Sequence, residues 1–214
     1  MMPQNVMQEE TTAIAGQNQP KKDRFLRWLA VELAPTLCGS KPSTILSLIN
    51  TKSQQALSLW REYGKAVFCD AGVRTLSLRS FADRECVLFY RPDTLLWCIN
   101  RPAYRAFLEN LGYPVEQGSE ACLAVLKARF HQCCPHEIGV FLGIPLKDVL
   151  GFMGMISLRE TCRRDWCIYG NPEESIAVIE RFAQDRTHVE RLLAIGFCPV
   201  EIICRGKERL SYTA

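Results

Sequence analysis

A chain of 214 residues, 48% apolar and 23% charged, has the composition of an ordinary globular protein and the length of one sizeable domain with at most a tail. Its net charge of +3 is too small to imply a polyanion partner by itself. Eighteen of the 26 basic residues are arginine, whose planar fork suits carboxylates and phosphates, but genome base composition produces the same skew.

Residues 1–22 are polar, rich in Gln, Glu and Thr, and read as a disordered tail; 23–214 read as a single α+β domain. The tail lacks the basic start and apolar centre of a signal peptide. No apolar run approaches the roughly 18 residues that span a bilayer. The expected location is therefore the cytoplasm, with no membrane partner. The eleven cysteines, an odd number, are expected to be reduced there, most of them acting as small buried hydrophobes.

The first helix is expected at Asp23, a capping residue, with Phe25, Leu26, Leu29 and Leu33 on its apolar face and Pro35 as its end. CGSKPS is a turn. A second helix runs through Ala56, Leu59, Trp60 and Tyr63 and closes at Gly64. VRTLSLRS and RECVLFYR form a hairpin over about 73–90, turning at Phe81-Ala82-Asp83. Pro92 and Pro102 open the next two helices, and Ser119 with Glu120 begins another. Two short helices flank Gly143, with Pro145 at the start of the second. WCIYG, about 165–169, reads as a third strand. Asn171 caps a helix through Phe182, a last short helix covers HVERLLAIG, and the end from Pro199 is left unassigned. The sum is a mostly helical α+β domain with a small antiparallel sheet.

Several fragments, taken in order, resemble one family. They are APTL-G-K-P at 34–42, YRP at 90–92, LGYP at 111–114, PHEIG-FLG-P--DV-GF at 135–152 and W-x-x-YG at 166–170. Together they are similar to the bacterial family catalogued as domain of unknown function 3793, seen mainly in anaerobic Gram-positive bacteria. That family has no established activity, so the resemblance implies an ancestry and no mechanism. The chain departs from the family pattern at Cys167, where W-K-V-Y-G is usual, and at Cys133 and Cys134. Any cysteine chemistry there would belong to this protein alone.

Three chemistries compete for residues 133–154. Cys133, Cys134 and His136 lie close together, but structural zinc uses ligands two to four residues apart in paired knuckles, and no C-x-x-C is present. Cys162, Cys167, Cys198 and Cys204 could converge across a fold, but they do not form paired knuckles. No metal and no cofactor are expected. For catalysis the candidates are His136 and Glu137 at a helix start, without HExxH, GxSxG or a Walker sequence elsewhere; GSKPS at 39–43 lacks the upstream glycine of a P-loop. The third chemistry is a helix-turn-helix. Its second helix offers one basic residue, Lys147, beside Asp148, so specific nucleic-acid binding is not expected.

The core side of the two helices is assigned to Ile138, Phe141, Leu142, Val149, Phe152 and Met155. The residues expected to line a ligand site are Tyr90, Arg91, His136, Asp148 and Tyr169. The function that fits is a non-enzymatic binding or regulatory protein with a polar cleft near the PHEIG helices, taking a small molecule or a protein partner. An enzyme or a thiol- or metal-dependent redox protein using His136 and nearby cysteines is the alternative.

Overall fold

The β-favouring run RECVLFY becomes the central strand of a three-stranded antiparallel sheet, with an apolar cluster on each of its two faces. The structure is a computed structural model that describes residues 20–52, 55–68 and 72–210. Strand β3 (Arg84–Tyr90) pairs on one side with β2 (Arg74–Ser80), the expected hairpin, and on the other with β1 (Ser43–Ile49). The register on the β1 side runs from Ser43 opposite Tyr90 to Ile49 opposite Arg84. A bulge at Leu78 interrupts the β2 side and turns that leucine fully inward.

The third strand of this sheet is therefore STILSLI, a run for which the sequence reading has no strand. WCIYG does form a strand, β5 (Cys167–Tyr169), but it pairs with β4 (Glu160–Arg163) in a separate two-stranded ribbon.

Alternation along β3 divides the interior. Val87 and Phe89 point into one apolar cluster, with Leu48, Trp60, Phe25, Leu29 and Val189. Leu88 and Tyr90 point into the other, with Leu95, Phe107, Leu123, Phe141 and Val149. A central strand buried on both faces needs apolar residues at successive positions, which is why VLFY reads as a continuous run.

The first face is covered by α1 (20–32), α2 (Ala34–Cys38), α3 (Ala56–Leu59), a π turn (Trp60–Gly64) and α4 (Lys65–Val67). Helix α1 is already formed at residue 20, three residues before Asp23. Asp23 is thus inside it and binds Arg27 at 2.7 Å instead of capping. Residues 1–19 of the expected tail lie outside the described residues. Pro35 does not end the helical region. It sits in the first turn of α2, where its missing N–H is harmless. Gly64 is internal too: a Cβ there would fall inside the Trp60 ring, so glycine lets the π turn carry that indole.

The second face is covered by α5 (Pro92–Ile99), α6 (Pro102–Asn110), α7 (Ser119–Phe130), α8 (Ile138–Phe141) and α9 (Leu146–Phe152). Helix α10 (Glu173–Ala194) spans 22 residues, merging the two helices expected there, and packs on α2 with α11 (Pro199–Leu210). Asn171 accepts from the Glu173 N–H at 3.0 Å just outside α10, so it supports the helix start without being its N-cap. No helix among the described residues is long and apolar enough to cross a membrane.

Candidate functional site

The PHEIG block builds a corner. α8 is a single turn, Gly143 reverses the chain at φ 76°, and Pro145 leads into α9. A side chain at Gly143 is excluded twice: by its backbone angle, and by the Pro42 ring, which a Cβ would approach to 2.7 Å. Ser43 Oγ donates to the Phe141 carbonyl at 2.6 Å, fixing the start of β1 to the same corner. The Leu146 N–H, one of the unpaired donors at the start of α9, is taken by Tyr104 Oη at 3.1 Å.

Asp148 is the polar centre of this corner and is 1% exposed. Its Oδ1 accepts from Lys147 Nζ at 2.7 Å and from the Tyr169 N–H at 2.9 Å. Its Oδ2 accepts from Trp166 Nε1 at 2.8 Å and from Ser175 Oγ at 2.6 Å. Two bonds on each oxygen exhaust a carboxylate. Burial alone would raise this carboxyl, but the hydrogen bonds from Lys147, Ser175, Tyr169 and Trp166 outweigh it, and the group titrates below the usual aspartate range. Lys147 is just as fully used, since its ammonium also donates to the Tyr169 carbonyl at 3.0 Å and to Ser175 at 2.8 Å. The network ties α9 to β5 and to the first turn of α10.

A second buried carboxylate lies just before α8. Glu137 is 5% exposed and accepts from Arg129 Nη1 and from Tyr113 Oη, at 2.5 and 2.9 Å. Arg129 also donates to the Leu111 carbonyl and stacks its guanidinium over the Tyr113 ring at 4.7 Å. Burial, then the Glu137 charge, drive the Tyr113 hydroxyl far above its ordinary range, so it stays a donor at all physiological pH. Glu137 thus locks α7 and the LGYP turn onto α8.

Asp148 lines a cleft of about 330 Å³. Ile138, Leu142, Ile144, Val149, Phe152 and the Trp166 ring supply its apolar walls, with Cys134, His136 and Cys167 also lining it. His136 is exposed and stands edge-on to Phe152, ring centroids 5.0 Å apart. Phe152 and Met155 are each 53% exposed, so neither belongs to the core side as expected. Phe152 lines the cleft and extends its apolar surface outward. The expected polar cleft is therefore mostly apolar, with its one carboxylate already bonded.

The five expected ligand residues do not converge. His136 and Asp148 line the cleft, and Tyr169 adjoins it: its backbone serves the Asp148 network and its ring packs on Gly151, leaving no room for a Cβ there. Tyr90 faces α7, donating to Glu120 at 3.0 Å. Arg91 is 8% exposed beneath α2, donating to the Leu37 carbonyl at 3.2 Å with Asp93 at 3.7 Å.

The residues missed at this site are Lys147 as a structural cation, Trp166, Ser175, Arg129 and Tyr113. Only the spacing of Trp166 and Tyr169 in WCIYG hinted at Trp166. Ser175 and Tyr113 come from segments more than twenty residues from the carboxylates they serve, while Lys147 stands next to Asp148 and Arg129 eight residues before Glu137.

All ten described cysteines are free thiols, but only Cys98 and Cys122 are fully buried, so the expectation of mostly buried cysteines fails. Cys133 and Cys134 are exposed, and partial burial pushes the Cys134 thiol up. Cys162 and Cys167 sit on paired strands, with Cys162 opposite Ile168 and Cys167 opposite Arg163. Among the described residues no group of three His, Cys, Asp or Glu side chains is placed to hold a metal.

The fold and site define an α+β protein with a mostly apolar cleft whose lining carboxylate, Asp148, is already fully hydrogen-bonded. The family model described as "Protein of unknown function (DUF3793)" matches residues 29–203, and the chain belongs to that family. No curated protein and no solved structure matches the chain.

Proposed function

We propose that the protein is a cytosolic, non-enzymatic binding protein that holds a small, predominantly apolar molecule in the cleft between α8, α9 and β5. The observation that carries this reading is the lining. The cleft falls within the roughly 300–1,000 Å³ of small-molecule sites and presents apolar walls with few polar groups. Asp148 has no lone pair left for acid–base work, since four donors occupy it. Cys134 is a poor nucleophile at neutral pH because its thiol is raised and not lowered. Lys147 spends its donors inside the fold, which weighs against the helix-turn-helix reading and a nucleic-acid partner.

Titration with the neutral fluorophore 1-aminoanthracene tests the proposal. Saturable binding is expected, with slower alkylation of Cys134 and Cys167 in the bound state and an unchanged rate at Cys198. Cys134→Trp, a change at an exposed position, should close the mouth and abolish the signal. Binding that leaves both cleft thiols as reactive as before would sink the reading.

A further inference from the structure

A second cavity, of about 440 Å³, opens over the other face of the sheet, between α1 and the start of α3. Its floor is Phe25, Leu59 and Trp28, the rings of Phe25 and Trp28 lying 5.9 Å apart and tilted by 34°. Its rim is Lys21, Arg24 and Lys52 with Gln55, and no acidic side chain among the described residues lines it. Lys21, Arg24, Phe25 and Trp28 recur at helical spacing, so one stripe of α1 presents both the cations and the rings.

From this arrangement we infer a binding site for a small amphipathic anion, a short acyl chain or aromatic ring bearing a carboxylate or a similar oxyanion. The three rim cations are exposed, and none makes a hydrogen bond or ion pair with another described residue. Their neighbours on the same helix are spoken for: Arg27 binds Asp23 at 2.7 Å, and the Lys22 ammonium lies 4.6 Å over the Tyr63 ring. Three like charges at one mouth repel one another and create a positive potential that an anion relieves. The floor supplies the complementary half, apolar area that gains when water leaves it. A concave cavity suits a small molecule better than a continuous strand of nucleic acid. Three cations also fall short of the four to eight or so that mark a lipid-headgroup cluster. The site lies on the opposite face of the sheet from the α8–α9 cleft, so the inference stands independently of the function proposed for that cleft.

Calorimetric titration of the full chain with octanoate, octanol and octylammonium tests it. Octanoate should bind at one site roughly tenfold or more tighter than octanol, a charge contribution of about 1.4 kcal/mol, and octylammonium should not bind. Combined Lys21→Gln, Arg24→Gln and Lys52→Gln changes should bring octanoate down to the octanol level, while Cys134→Trp leaves it unchanged. Equal affinity for octanoate and octanol would overturn the inference. So would full octanoate binding by the triple variant, or its loss in Cys134→Trp. Sedimentation with anionic vesicles that needs Arg24, without octanoate binding, would replace it with a membrane surface.

Discussion

Two regions of this molecule handle charge in opposite ways. At the α8–α9 corner, Asp148 and Lys147 are buried or nearly so, and every donor and acceptor between them is matched. Over α1, Lys21, Arg24 and Lys52 surround an apolar floor and have no hydrogen-bond or ion-pair partner among the described residues. The contrast teaches that a polar residue beside a cavity is not thereby a ligand residue. What decides is whether its bonding capacity has already been used by the fold.

The sharpest way to break this comparison is Asp148→Ala. It leaves a half-buried ammonium, an indole N–H and a backbone N–H without their acceptor, so it should cost about 3–5 kcal/mol and leave much of the protein insoluble. A thermal melt within a degree or two of wild type would mean that the corner holds without its knot.

Glu137→Ala comes next. It strips the acceptor from Tyr113 and the charge partner from a partly exposed Arg129, and should cost about 2–3 kcal/mol by urea denaturation. Glu137→Gln, which can still accept from Tyr113, should recover part of that loss.

Acid should loosen the same corner. The Asp148 carboxyl titrates lower in the folded state than in the unfolded chain, so its contribution is present above the ordinary aspartate value near 3.9. That contribution is lost as pH falls through the lower, folded value. In Asp148→Asn the acid limb of a stability–pH curve should be flatter than in wild type. Identical limbs would remove the carboxylate from the account.

The smallest effect is expected over α1. The triple change of Lys21, Arg24 and Lys52 to Gln should alter stability by no more than about 0.5 kcal/mol, because exposed cations with no partner among the described residues hold little together. A loss above about 2 kcal/mol would show that those cations are structural after all, and the two regions alike.

The family membership, the α+β class and the hairpin β2–β3 were legible in the sequence, and so were the helices opened by Pro92 and Pro102. The same holds for the turn at Gly143. These depend on local chemistry: a fixed proline φ, a positive glycine φ, and apolar alternation over a few residues. Strand β1 was not legible, because STILSLI becomes a strand only by pairing with β3, about forty residues away. Phe152 and Met155 look like core in a helical pattern, yet both remain half exposed.

The site was half legible. PHEIG and W-x-x-YG marked the two segments that meet there, and Asp148 and His136 were picked out as its polar residues. That Asp148 is saturated depends on Trp166, Tyr169 and Ser175 arriving from 18 to 27 residues further along the chain. A sequence specifies which groups can bond, from residue type and near neighbours. Only the tertiary fold decides which bonds are made, because the donors that satisfy a buried carboxylate are brought to it by packing between distant elements.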